Sequence, residues 1–126
     1  MSRLVIDAGA FIAFEKGDDR LRARLTAARR LGLHLTTSAP VIGQVWRDGR
    51  KQALLARLIA AVDAHAPDDS AARRAGELLA KAKTSDVVDA LLALRARDGD
   101  VVLTSDPGDM RRLLAAAGIE AQVVTV

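Results

Sequence analysis

The residues able to do chemistry in this sequence are aspartates. Asp7 ends the apolar run Leu4-Val5-Ile6, and Asp106 follows Val101-Val102-Leu103-Thr104-Ser105. Asp109 lies three residues beyond Asp106, and Asp86 lies three residues before Asp89. Taken singly, Asp7 and Asp106 read as helix N-caps, and Asp106-Pro107 is a good helix start in its own right. Asp89 reads differently. It sits in Val87-Val88-Asp89-Ala90-Leu91-Leu92-Ala93-Leu94, a run apolar nearly all round and expected to be buried. Aspartate is a poor helix former and is seldom buried alone. Left ionised and unpaired there, it would cost on the order of several kcal/mol. An arginine, a set of hydrogen bonds or a metal ion must neutralise it, and this helix alone favours neither arginine nor metal.

Gathered at one place, such carboxylates would force one of their number to protonate unless a cation sat among them. Asp109 shares a helix face with Asp106 and is a candidate fourth member. Asp86 is read first as favourable charge at a helix start, and Ser38 and Thr104 first as a cap and a strand residue, although both hydroxyls could orient a carboxylate or a water. There is no cysteine, and the histidines are His34 and His65, both expected in strands away from the acids and read as structural. A metal must then be held by oxygens, which points to Mg²⁺ or Mn²⁺. Such an ion polarises a phosphoryl oxygen and lowers the pKa of bound water. Neither GxGxxG nor GxxxxGK[ST] occurs, and GxSxG and HExxH are absent too. A phosphodiester hydrolysed by metal-activated water fits what remains. A phosphate-accepting receiver domain does not, because Asp7 runs into Ala8 and the third strand into Ala66-Pro67.

Positioning these acids requires strands that end where helices begin. The pattern predicts strands at Leu4–Ile6, Leu33–Thr36, Val62–Ala66 (weak), Val101–Thr104 and Ala121–Thr125. Between them it predicts helices over Ala8–Glu15 and Arg20–Leu31, the latter with Leu21, Leu25 and Ala28 inward and closed by Gly32. Thr37-Ser38-Ala39-Pro40 reads as a start signal for a helix running through Val45 and Trp46 to Asp48-Gly49. Further helices are expected at Lys51–Ala61, with Leu54, Leu55, Leu58 and Ile59 inward, and at Ala71–Lys81, Val87–Arg95 and Pro107–Ala116. Strands alternating with helices make an α/β fold with a parallel sheet covered on both faces, and ligands then bind beyond the carboxyl ends of the strands.

The chain has 126 residues, 50% hydrophobic and 28% charged, enough for one core and one domain spanning 1–126. No apolar run is long enough to cross a membrane, and Asp7 interrupts the apolar N-terminus, so a cytoplasmic protein without a signal peptide is expected. The net charge of +3 is uneven: residues 16–58 carry a balance of +7 and residues 59–126 one of −3. That asymmetry suggests an acidic site beside a basic surface able to hold a phosphate backbone, although solvated helix faces are the commoner meaning of scattered arginine. The aromatics are Phe11, Phe14 and Trp46, too few for a base-stacking platform. Trp46 is read as core or dimer interface.

LVIDAGAFIA with Asp7, SDVVDALLAL with Asp89, and VVLTSDPGDM with Asp106 and Asp109 together resemble the PIN-domain ribonucleases, specifically the VapC toxins of bacterial toxin–antitoxin pairs. The resemblance covers essentially the whole chain. It implies a three-layer α/β/α fold with a mainly parallel sheet of four to five strands. It also implies Mg²⁺- or Mn²⁺-dependent cleavage of RNA, a homodimer, and inhibition by a cognate antitoxin. Asp7, Asp89 and Asp106 match the family's acidic metal ligands, with Asp109 as an auxiliary. The sequence departs from the family at Gln44, in APVIGQVWRDG, where a glutamate is usual. Glutamine offers a carbonyl oxygen without charge, so it binds a hard cation more weakly. The alternative is therefore a catalytically impaired PIN-like module acting through its partner. Glu15 is a possible substitute acid, read first as surface-exposed.

Overall fold

A computed structural model describes residues 2–126. The chain forms five strands: β1 (Arg3–Ile6), β2 (His34–Ser38), β3 (Asp63–His65), β4 (Val101–Thr104) and β5 (Gln122–Thr125). All pair in parallel in the order β3-β2-β1-β4-β5. The connections are helical: α1 (Ala8–Glu15), α2 (Asp19–Arg30), α3 (Ala39–Val45), α4 (Ala53–Ala60), α5 (Asp69–Ala82), α6 (Val87–Arg95) and α7 (Pro107–Ala117). Helix α1 packs on α2, α3 and α4, whereas α5, α6 and α7 pack on one another. Right-handed crossovers in opposite directions from the middle of a sheet put two such groups on opposite faces, giving the expected three layers.

Strand β1 is buried along its whole length, as a strand covered on both faces must be. Leu4 pairs with Val101, Val5 with Val102 and Ile6 with Leu103. Val5, Ile6, Val102 and Leu103 form one core with Phe11, Leu55, Leu92 and Leu113. Helix α6 spans the residues expected of it, and α2 turns Leu21, Leu25 and Ala28 inward as its spacing predicts.

The expectations for β2, α3 and α4 need correction. Strand β2 continues through Thr37 and Ser38, because these residues pair with Ala64 and His65 of β3 and the Thr37 hydroxyl donates to the Ile6 carbonyl at 2.7 Å. Helix α3 stops at Val45, since the Gln52 side chain takes up the backbone N–H groups of Arg47 and Asp48 and turns the chain. A short 3₁₀ turn at Gly49–Lys51 then leads into α4, which starts at Ala53, and Leu54 points outward at 46% exposure.

Strand order reverses between β1 and β4. The chain leaves β1 toward β2, and it returns over the sheet to enter β4 on the other side. Loops at such a point diverge, opening a crevice beyond the strand ends. Asp7 and Asp106 stand there.

Candidate functional site

Asp7 is the first residue beyond β1. Its backbone N–H donates to the Leu103 carbonyl at 3.0 Å, so the residue stays locked against β4. The carboxylate is 6% exposed and caps α1, with Oδ1 accepting from the Ala8 N–H at 2.7 Å. Oδ2 accepts from the Thr104 hydroxyl at 2.6 Å, and that hydroxyl oxygen accepts in turn from the Asp106 N–H at 3.0 Å. Thr104 therefore sets the positions of both Asp7 and the turn that carries Asp106. That is more than the ordinary strand role the sequence suggests.

Asp106 caps α7 from an exposed position, with Oδ1 facing the Asp109 N–H at 3.5 Å. Pro107 at the first helical position has no N–H to satisfy, which fixes the start of α7. Asp109, one turn on, faces the same way. Asp89 reaches this corner from α6, whose N-terminus is capped by Asp86 accepting from the Val88 and Asp89 N–H groups. Asp86 thus does what the simpler reading gave it. Carboxylate oxygens of Asp89, Asp106 and Asp109 lie within 4.8 Å of one another.

Asp89 is partly buried and not enclosed, because Val87 beside it is 45% exposed and the start of α6 faces the crevice. Burial, followed by the charges of Asp7, Asp86, Asp106 and Asp109, pushes its carboxyl up to about 7. Among the described residues no arginine pairs with Asp7, Asp89 or Asp106; Asp109 has Arg112 at 4.0 Å, on the exposed side. The other arginine-paired aspartates among the described residues are Asp100, held by Arg3, Asp63, held by Arg95, and Asp69, paired with Arg73 on the surface of α5. Three converging acids, with the charge of Asp7 acting on Asp89 and little compensating charge, are suited to holding a hard cation through oxygen; Asp7 itself lies outside the three-acid group.

The remaining candidates are carried by other elements. Gln44 is on α3, partly buried. Glu15 is at the far end of α1 from Asp7. It is partly buried rather than plainly exposed, with Oε2 accepting from Gln52 at 3.0 Å, which ties α1 to the turn after α3. Ser38 occupies the cap position of α3, yet its hydroxyl makes no bond to the helix. His34 pairs with Asp63 at 3.1 Å, and Trp46 is 38% exposed. Of the basic residues in 16–58, Arg20, Arg24, Arg29 and Arg30 line the exposed face of α2. Arg22 instead bonds the Phe14 carbonyl and covers the Phe14 ring at 5.2 Å, and Arg47 bonds the carbonyls of Gly43 and Trp46.

One contributor has no signal in the sequence. A Cβ on Gly9 would overlap the Ser105 side chain, so glycine is what lets α1 approach the end of β4 closely enough to set Asp7 beside Thr104.

No protein-family model matches this sequence, and no curated protein does. Among solved structures, a chain of the DNA-bound VapBC complex from Salmonella typhimurium superposes with a TM-score of 0.70 at 18% identity, covering 98% of each chain. That likeness extends over the whole architecture, and the chain has the layered, parallel PIN-like fold of this neighbour.

Proposed function

We propose that the protein is a divalent-metal-dependent endoribonuclease, the toxin of a toxin–antitoxin pair. The observation that carries the reading is the convergence of Asp89, Asp106 and Asp109 within 4.8 Å at the strand-order reversal, with Asp7 alongside. Asp7, Asp89 and Asp106 would hold Mg²⁺ or Mn²⁺, with Asp109 as auxiliary. The ion would supply charge for the phosphoryl oxygens and a lowered pKa for attacking water. The chain's own groups hold the arrangement in place. Thr104 keeps Asp7 in one orientation, Asp86 fixes the first turn of α6 under Asp89, and Pro107 sets Asp106 at the mouth of the crevice. The exposed arginines of α2 would attract an RNA backbone.

The VapBC neighbour is a toxin–antitoxin complex bound to DNA, which supports a cognate antitoxin as partner here. Exposed Trp46 and Leu54 offer apolar surface to a second copy. Among the described residues no helix is long and apolar enough to cross a membrane, in keeping with action in the cytoplasm. The test is cleavage of single-stranded RNA in Mn²⁺, with Asp7→Asn and Asp89→Asn alongside. Loss of cleavage by about a hundredfold or more is expected for each, and equal activity in the variants defeats the assignment. A glutamate is usual at the Gln44 position in the family the sequence resembles, so Gln44→Glu is expected to tighten Mn²⁺ binding by calorimetry, and unchanged affinity would put α3 outside the metal site.

A further inference from the structure

A polar cavity lies between the β2–β3 side of the sheet and helices α5 and α6, running from the carboxyl ends of β2 and β3 back to the residues just beyond α6. It has a volume of about 200 Å³ and is lined by Ser38 at the end of β2, His65 at the end of β3, Arg74 of α5, Arg95 of α6 and Arg97 just beyond, with leucines of α6 as one wall. No acidic residue lines it. Ser38 is 1% exposed, and its Oγ has no hydrogen-bond partner among the described residues. Buried hydroxyls are rarely left so, because the lost hydration is not returned. The cations around Ser38 indicate the kind of group that would complete it, one with oxygen acceptors and negative charge.

Arg95 is held for that role. Its Nε donates to Thr36 Oγ1 at 2.9 Å and its Nη2 to Asp63 Oδ2 at 3.1 Å, while Nη1 has no such bond among the described residues. Asp63, shared with His34, offsets one positive charge. Arg74 and Arg97 make no ion pair among the described residues, so about two charges remain uncompensated before His65 is counted. A carboxylate would meet one of them. A phosphoryl group brings more charge and several acceptor oxygens, and guanidinium geometry suits it.

We propose that this cavity binds a phosphate group, with Ser38 donating from the floor and Arg74, Arg95 and Arg97 supplying the charge. The phosphate could be free or borne on a strand. Ser38 ends β2 and Asp7 directly follows the neighbouring parallel β1, and α6 carries both Asp89 and Arg95, about 9 Å apart along its axis. A strand crossing the acidic corner could therefore place a neighbouring phosphate here. That version rests on the proposed nuclease function, whereas affinity for phosphate itself does not.

The test uses the full chain with a chelator and no divalent metal, so that cleavage plays no part. Titration with inorganic phosphate, followed by amide NMR, is expected to shift residues 38, 65 and 94–97 saturably. Ser38→Ala and the double variant Arg74→Ala/Arg97→Ala should each weaken binding about tenfold or more. Acetate serves as the carboxylate control. A second arm measures a single-stranded RNA oligonucleotide by fluorescence anisotropy at fixed salt. Weaker RNA binding in the double variant assigns the site to a strand-borne phosphate, and unchanged RNA binding with phosphate still saturating assigns it to a free one. Variants that bind both ligands like the wild type, acetate binding as tightly as phosphate, or neither ligand shifting these amides would each overturn the proposal.

Discussion

Asp89 is where the site's electrostatics are most exposed to measurement. Burial first, and then four neighbouring aspartates, hold its carboxyl up at about 7. An ordinary aspartate in the unfolded chain titrates near ~3.9. Between those values the folded protein binds more protons than the unfolded one, so this group's contribution to stability falls as pH rises from about 4 through about 7. In chelator, Asp89→Asn should remove that loss and raise stability at pH 8 by on the order of 1 kcal/mol, discounted for solvent at a partly exposed group. Thermal melts across pH check this. In Mn²⁺ the order should reverse, the wild type gaining more than the variant; equal gains would mean Asp89 is not a ligand. Thr104 permits a complementary measurement. Thr104→Val keeps the shape but leaves Asp7 Oδ2 and the Asp106 N–H without their partner, a cost of about 1–3 kcal/mol by urea unfolding. Thr104→Ser should recover most of it.

The elements that carry the acids were legible because each is set by local signals. Asp86 caps α6, Pro107 opens α7, and β-branched runs make β1 and β4. Segments defined by contacts distant in sequence were not. Thr37 and Ser38 have the composition of a helix cap but finish β2, because the register with β3 and the Ile6 carbonyl claims them. Gln52 reaches back to Arg47 and Asp48 and ends α3 early, a contact no periodicity encodes. The positions of Asp7, Asp106 and Asp109 followed from strand ends, but their packing depended on Gly9, a residue without chemistry of its own. Gly9→Ala gains helix propensity and yet meets Ser105, so we expect a net loss of about 1–3 kcal/mol and a weaker hold on Mn²⁺ as α1 is displaced from β4. Gly43→Ala, in α3 with open space at its Cβ position, should instead stabilise by up to about 1 kcal/mol, and unfolding curves for the two variants separate propensity from close approach.

The two edges of the sheet divide the work of the molecule. Uncompensated acids collect at the carboxyl edge; at the amino edge Arg3, 9% exposed, and Asp100, 2% exposed, fasten the start of β1 to the entry of β4. Arg3 bonds Asp100 through its backbone N–H and its guanidinium, and Asp100 also accepts from the Arg97 N–H. Burial pushes the Asp100 carboxyl up, but the Arg3 side-chain bonds, the two backbone donors and the Arg3 charge outweigh it and hold the carboxyl below its ordinary value. Its stabilisation is thus fully present above about pH 4, the unfolded value, and is lost as pH falls through the lower folded one. That sign is opposite to Asp89's, and the window lies lower, so one pH–stability profile separates the two edges. Asp100→Asn should leave the Arg3 guanidinium poorly matched in a buried site, cost about 3–5 kcal/mol, and flatten the acid limb alone. If the edges are independent, the folded fraction of that variant will bind Mn²⁺ as the wild type does. A loss of Mn²⁺ affinity together with stability would mean that the β1–β4 register at one edge controls the acidic corner at the other.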